Sequence, residues 1–187
     1  MEEDPAKGQI SCLSASSSEL RELGGLAVWS VTSGKPGNGV DMLRDGRADT
    51  FWQSDGLQPH LINIQFQRKV ELTELRIYVD YKVDESYTPN KISVRTGSSY
   101  DDLKELRLMD IEEPSGWLVF PLYPLGGPPD VLKTFFLQIA ILGNHQNGRD
   151  THLRLVQVFG PRADPLQAHQ LPLSTVSSKF ASYMSVR

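Results

Sequence analysis

Between Leu26 and Arg162 apolar residues return at every second position, a spacing that strands satisfy and helices do not. Ile62, Ile64 and Phe66 alternate with Asn63 and Gln65, while Leu75, Ile77 and Val79 alternate with Glu74, Arg76 and Tyr78. A strand turns successive side chains to opposite faces, so each run describes a ribbon with one buried and one wetter side. Ala27–Val31, Lys91–Arg95, Leu103–Met109, Trp117–Leu122, Thr134–Leu142 and Leu153–Phe159 bring the total to about eight strands, punctuated by Gly, Pro and Asn. No long helical pattern alternates with them, so the expected class is all-β, an antiparallel sandwich or barrel rather than a doubly wound sheet. In Thr134–Leu142 both faces are apolar, with Phe135, Leu137, Ile139 and Ile141 on one and Phe136, Ala140 and Leu142 on the other. That pattern predicts a central strand covered on both sides.

The alternation delimits a single domain, expected over 19–162. Residues 1–18 are small and polar, and their composition predicts a flexible leader. Ser16-Ser-Ser-Glu19 has capping-box spacing, Leu20 and Leu23 share a face, and Gly24 supplies a stop, which together predict a short N-terminal helix. Residues 163–187 lose the alternation yet end with Phe180, Tyr183, Met184 and Val186 beside Lys179 and Arg187, the character of a peptide that docks elsewhere. A chain of 187 residues buries roughly 70% of its unfolded surface, enough for a core without metal or disulfide. Cys12 is the lone cysteine and no Asn-x-Ser/Thr sequon occurs, which fits a reducing compartment. Met1-Glu-Glu-Asp-Pro5 lacks the basic and apolar regions of a secretory signal, and the longest apolar run is broken by Gln138. Neither secretion by that route nor membrane association is expected. With 19 Lys plus Arg against 23 Asp plus Glu, the formal charge of −4 argues against a global grip on nucleic acid, although a sum does not exclude a local basic patch.

Three loops carry more polar and aromatic groups than connectors require: Asp49–Gly56, Asp80–Pro89 and Gly143–His152. Asn147-Gly148 is a tight-turn signal, and Asp150 can bond its own backbone. A turn alone does not need Asn144, His145, Gln146, Asn147, Arg149, Asp150 and His152 together. Trp52 either plugs the end of the sandwich or faces a ligand. A serine hydrolase built on Ser54 or Ser86 with His145 or His152 lacks a Gly-x-Ser-x-Gly elbow and any element that activates the hydroxyl. A zinc site at His145, Asp150 and His152 lacks ligand spacing, and a Ca²⁺ site using Asp41 or Asp45 is not legible. Gly34, Gly37 and Gly39 lack dinucleotide-binding spacing and read as a turn. No cofactor is expected.

Read in order, Trp29–Gly37, Phe51–Gly56, Gln58–Phe66, Asp84–Pro89, Glu113–Trp117 and Asn144–His152 closely resemble the DOC-domain family over about Leu20 to Arg162. The resemblance implies a jelly-roll β-sandwich of galactose-binding-domain type. It further implies a non-catalytic subunit of the anaphase-promoting complex, or cyclosome, a ubiquitin ligase of nucleus and cytoplasm that acts in cell division. There the sandwich-end loops act as a co-receptor for destruction-box degrons, shared with a propeller-shaped activator protein, and promote processive ubiquitination. The matching positions are Trp52, Gln53, Ser54 and Asp55, then Asp84, Glu85, Ser86 and Tyr87, and finally Asn144, His145, Gln146, Asn147, Arg149 and Asp150. The family's closing Ile-Arg, which docks into a helical-repeat subunit, corresponds here to Val186-Arg187, one methylene shorter. A carbohydrate-binding module is the competing class, on the strength of the fold type alone.

Overall fold

The computed structural model describes residues 20–123 and 131–162. Eleven strands form in chain order: β1 (Leu20–Glu22), β2 (Ala27–Val31), β3 (Trp52–Ser54), β4 (His60–Leu72), β5 (Glu74–Asp80), β6 (Pro89–Gly97), β7 (Lys104–Asp110), β8 (Ser115–Pro121), β9 (Leu132–Asn144), β10 (Thr151–Leu153) and β11 (Leu155–Pro161). Every pairing among them is antiparallel. A five-stranded sheet runs β2-β4-β9-β6-β7, a four-stranded sheet runs β1-β11-β5-β8, and β3 with β10 makes a short ribbon at one end.

The alternation maps onto this sandwich as expected. Ile62 and Ile64 of β4, Leu137, Ile139 and Ile141 of β9, and Ile92 and Val94 of β6 share one core with Leu75 and Ile77 of β5 and Val156 and Val158 of β11. Each such side chain is worth roughly 1.5–3 kcal/mol on burial. β9 lies at the centre of its sheet, and residues 136–141 are buried on both faces. On the face away from the core, Gln138 Nε2 donates to Asn63 Oδ1 at 2.9 Å and its Oε1 accepts from Arg95, so the one polar residue of the run is paired.

The short N-terminal helix is not formed where the chain is described. Leu20–Glu22 pair with Phe159–Pro161 as an edge strand, and a single 3₁₀ turn follows at Gly24–Leu26. Three ladder positions give that segment partners, whereas so short a helix has only its own. Ser16–Glu19 lie outside the described residues, as do the flexible leader and the tail 163–187. Among the described residues the one α-helix is a single turn, α1 (Tyr81–Asp84), whose N-cap Asp80 accepts from the backbone N–H of Lys82.

A candidate ligand-binding end made of three interlocked loops

β3 and β10 carry the polar loops to one end of the sandwich. The expected loop Asp49–Gly56 is in its middle a strand, with Gln53 opposite His152 and Trp52 opposite Leu153. Period two cannot show over three residues, and this strand exists because β10 pairs with it. Trp52 is fully buried and its Nε1 donates to Ser33 O at 2.9 Å, so it is the plug and not the ligand face.

Beneath the surface one hydrogen-bonded chain joins the first and third loops. The Gly56 N–H donates to Ser33 Oγ at 3.0 Å, and Ser33 and Ser54 share a short hydroxyl bond. Ser54 Oγ lies 2.8 Å from His60 Nδ1, and His60 Nε2 lies 2.7 Å from the carbonyl of Arg149. The carbonyl can only accept, so Nε2 carries a proton, and in the neutral ring Ser54 then donates to Nδ1. Ser54 therefore pairs with His60, not with His145 or His152. Both partners are fully buried, so Ser54 presents no exposed nucleophile.

A second network ties in the middle loop. Asp84 and Arg154 are 6% and 5% exposed, and they form a two-pronged pair, Nε to Oδ2 at 2.9 Å and NH2 to Oδ1 at 2.8 Å. Arg154 NH1 donates to Ala48 O at 2.7 Å, and His152 Nδ1 donates to Asp84 Oδ1 at 3.1 Å. The His152 ring is stacked between Phe51 at 4.1 Å and Tyr87 at 4.2 Å. Burial pushes the Asp84 carboxyl up, yet hydrogen bonds from His152 and Arg154 with the guanidinium charge outweigh it and hold it below its ordinary 3.8. A folded value below the unfolded one gives stability that is complete above the unfolded value and lost as pH falls through the folded value. Thermal unfolding followed from about pH 6 to about pH 2.5 should show that loss in the parent and a flatter profile in Asp84→Asn. Equal slopes in the two proteins would remove this role from Asp84.

The second and third loops meet without a gap. The His145 N–H donates to Thr88 O at 2.9 Å, and Asn144 Nδ2 donates to Asp150 O at 2.7 Å. Tyr81 packs edge-on against His145 at 4.8 Å, and Gln146 Nε2 reaches the Tyr81 hydroxyl at 3.3 Å. Gln146 and Asn147 hold positive φ, 52° and 56°, which turns the loop over at its tip. Asp150 is braced by Gln53 Nε2 at 3.2 Å and Lys35 Nζ at 3.5 Å.

The expected residues thus fall into two layers. Trp52, Ser54, Asp84 and Asn144 are buried and act as supports. Asp55, Glu85, Tyr87, Gln146, Asn147 and Arg149 are exposed at the rim, with Gln53, Ser86, His145 and Asp150 half-buried between. Val186 and Arg187 lie outside the described residues. Sequence reasoning missed Ser33, His60 and Arg154 as members of this end. An arginine inside the apolar run Leu153-Arg-Leu-Val156 was the available signal, because a charge there needs a buried partner. Among the described residues no three His, Cys, Asp or Glu side chains gather as metal ligands.

The solved structures that share this architecture include the family 32 CBM of C. perfringens NanJ in complex with galactose, at a TM-score of 0.62 and 10% identity over 75% of this chain and 98% of that one. Identity this low carries the fold, a galactose-binding-type jelly roll, and nothing about ligand. Sequence relatives are far nearer. Anaphase-promoting complex subunit 10 of Homo sapiens is 51% identical over 90% of this chain and 89% of its own length. The subunit of the same name from Drosophila melanogaster is 52% identical over 76% and 72%, and that of Schizosaccharomyces pombe is 36% identical over 87% and 85%. The family model described as anaphase-promoting complex, subunit 10, matches residues 2–185, so this chain belongs to that family.

Proposed function

We propose that this chain is a non-catalytic subunit of the anaphase-promoting complex, in nucleus and cytoplasm, and that its three-loop end is a co-receptor for destruction-box degrons. The observation that carries the reading is the two-layer construction of that end. Buried pairs fix the loops, and a shallow polar rim of Asp55, Glu85, Tyr87, Asn147 and Arg149 is left outward. A degron is a short unstructured segment and loses conformational freedom when it is held, so one shallow surface binds it weakly. A rim that is already rigid adds no further ordering cost. If a propeller-shaped activator holds the same segment, the second contact becomes intramolecular, and linkage raises avidity by about 10² to 10⁴. Longer residence then gives more ubiquitin transfers per encounter. The tail ending in Val186-Arg187 would tether the domain to a helical-repeat subunit of the ligase.

The test is a reconstituted ligase carrying Arg149→Ala or Asn147→Gly. Glycine is chosen at 147 because it removes the amide without straining a backbone at φ 56°. Loss of one hydrogen bond at about 0.5–1.5 kcal/mol predicts roughly a twofold to tenfold fall in degron-dependent processivity. The melting temperature should stay the same. Unaltered chain lengths on a destruction-box substrate would overturn the proposal.

A further inference from the structure

The other end of the five-stranded sheet is built differently. β4 and β9 keep regular register from His60↔Ile141 to Gln65↔Phe136, then resume at Val70↔Thr134. Between the two stretches β4 has more residues than its partner, so Gln67, Arg68 and Lys69 bulge out and are exposed. The bulge sets Lys69 at the mouth of a groove of about 250 Å³ whose walls include Gly97, Ser98, Lys104, Leu132 and Phe135. Lys133 also reaches it, but is shared with Glu71 at 2.9 Å. Among the described residues Lys69 and Lys104 have no carboxylate partner. The lining also holds one carboxylate, Asp102, so lysines outnumber carboxylates three to one along the groove, a local excess of cations that the net charge of −4 conceals.

The wall chemistry selects among anions. The Ser98 and Ser99 N–H groups both donate to Asp102 Oδ1 at 2.8 Å, and Asp102 is held below its ordinary value by those bonds. Thr96 and Thr134 hydroxyls bond one another at 2.7 Å. The Ser98 and Ser99 N–H groups are thus committed to Asp102 rather than turned to a free phosphate, and Leu132 with Phe135 makes part of the lining apolar. A ligand that fits offers carboxylates to the rim and aliphatic side chains to the floor.

We infer that this groove is a docking site for an acidic linear peptide of a partner protein, with glutamates or aspartates paired to Lys69 and Lys104 and an apolar residue between them on Leu132 and Phe135. The site is independent of the loop end. Thr134, near the start of β9, and Asn144, its last residue, are ten residue steps or roughly 30 Å apart, so both ends can be occupied at once.

The experiment uses the full chain and a fluorescein-labelled peptide of alternating glutamate and leucine, followed by anisotropy and by amide shifts in NMR. Saturable binding is expected, with shifts at Gly97, Ser98, Lys104 and Phe135 and none at Asn147 or Arg149. Lys69→Glu with Lys104→Glu should weaken it at least tenfold, the loss of two charge pairs and their reversal. Both side chains are exposed, so the double variant should melt with the parent, and Lys69→Gln with Lys104→Gln gives a milder version of the same loss. Raising salt from about 0.05 M to about 0.5 M should weaken binding further. The inference is overturned if the double reversal leaves affinity unchanged, if the shifts fall at the loop end, or if inorganic phosphate alone reproduces them at Lys104.

Discussion

Arg154→Met is expected to lower the stability of this domain by about 3–5 kcal/mol at neutral pH, the cost of leaving a buried charge without its partner. Asp84 accepts both prongs of the guanidinium and a ring N–H of His152 while only 6% exposed. With Arg154 gone, one histidine hydrogen bond would have to stabilise a carboxylate in a largely dry site. The carboxyl would take up a proton instead, so the damage should shrink as pH is lowered, opposite in sign to the parent's acid sensitivity. Ala48 O loses its donor as well, which frees the segment before β3. Urea unfolding at about pH 7 and about pH 5 measures both effects. Asp84→Asn combined with Arg154→Met should recover part of the loss, because no ion is then left alone. A single-variant loss below about 1 kcal/mol would show that water already reaches the pair.

How much of this was visible in the chain follows from the range of each interaction. The ladders of β4, β5 and β9 rest on alternation, a local property, and Ile62, Ile77 and Ile139 are buried on the faces that their spacing predicts. The Asp84–Arg154 pair spans 70 residues and the His60–Arg149 contact 89, and although Arg154 in an apolar run calls for a buried partner, a single sequence does not say which residue answers it. β3 escaped for a related reason, since three residues become a strand only when β10 comes alongside. The N-terminal helix failed in the opposite way: its capping pattern is real, but the edge of β11 offers Leu20–Glu22 a better partner. The three loops were legible as polar and dense. Their sorting into buried braces and exposed rim was not, because Asp84 and Glu85, or Ser54 and Asp55, are neighbours in sequence and differ only in which way they face.

Gly148→Ala tests whether that rim must be held in one shape. Gly148 has φ −58° and ψ 139°, a conformation open to any residue, so alanine costs nothing in backbone preference. The difficulty is contact: a Cβ there lies far inside van der Waals distance of the Ser86 carbonyl oxygen and 2.9 Å from its carbon. The loops carrying Ser86 and Gly148 would have to part by more than an ångström, against a loop pinned by Gln58 and Asn144 to the Gly148 carbonyl. Overpacking of this kind costs about 1–3 kcal/mol, which a domain with this core survives. Degron-dependent processivity should fall at least as far as in Arg149→Ala, because Glu85, Tyr87, Asn147 and Arg149 all shift relative to one another. The clash is with backbone, so adding Ser86→Gly to Gly148→Ala should rescue neither stability nor processivity. Melting curves and a reconstituted ubiquitination assay read the two effects separately. A folded Gly148→Ala protein with parental processivity would mean that the close meeting of these loops is structural alone and that the grip on the degron does not depend on it.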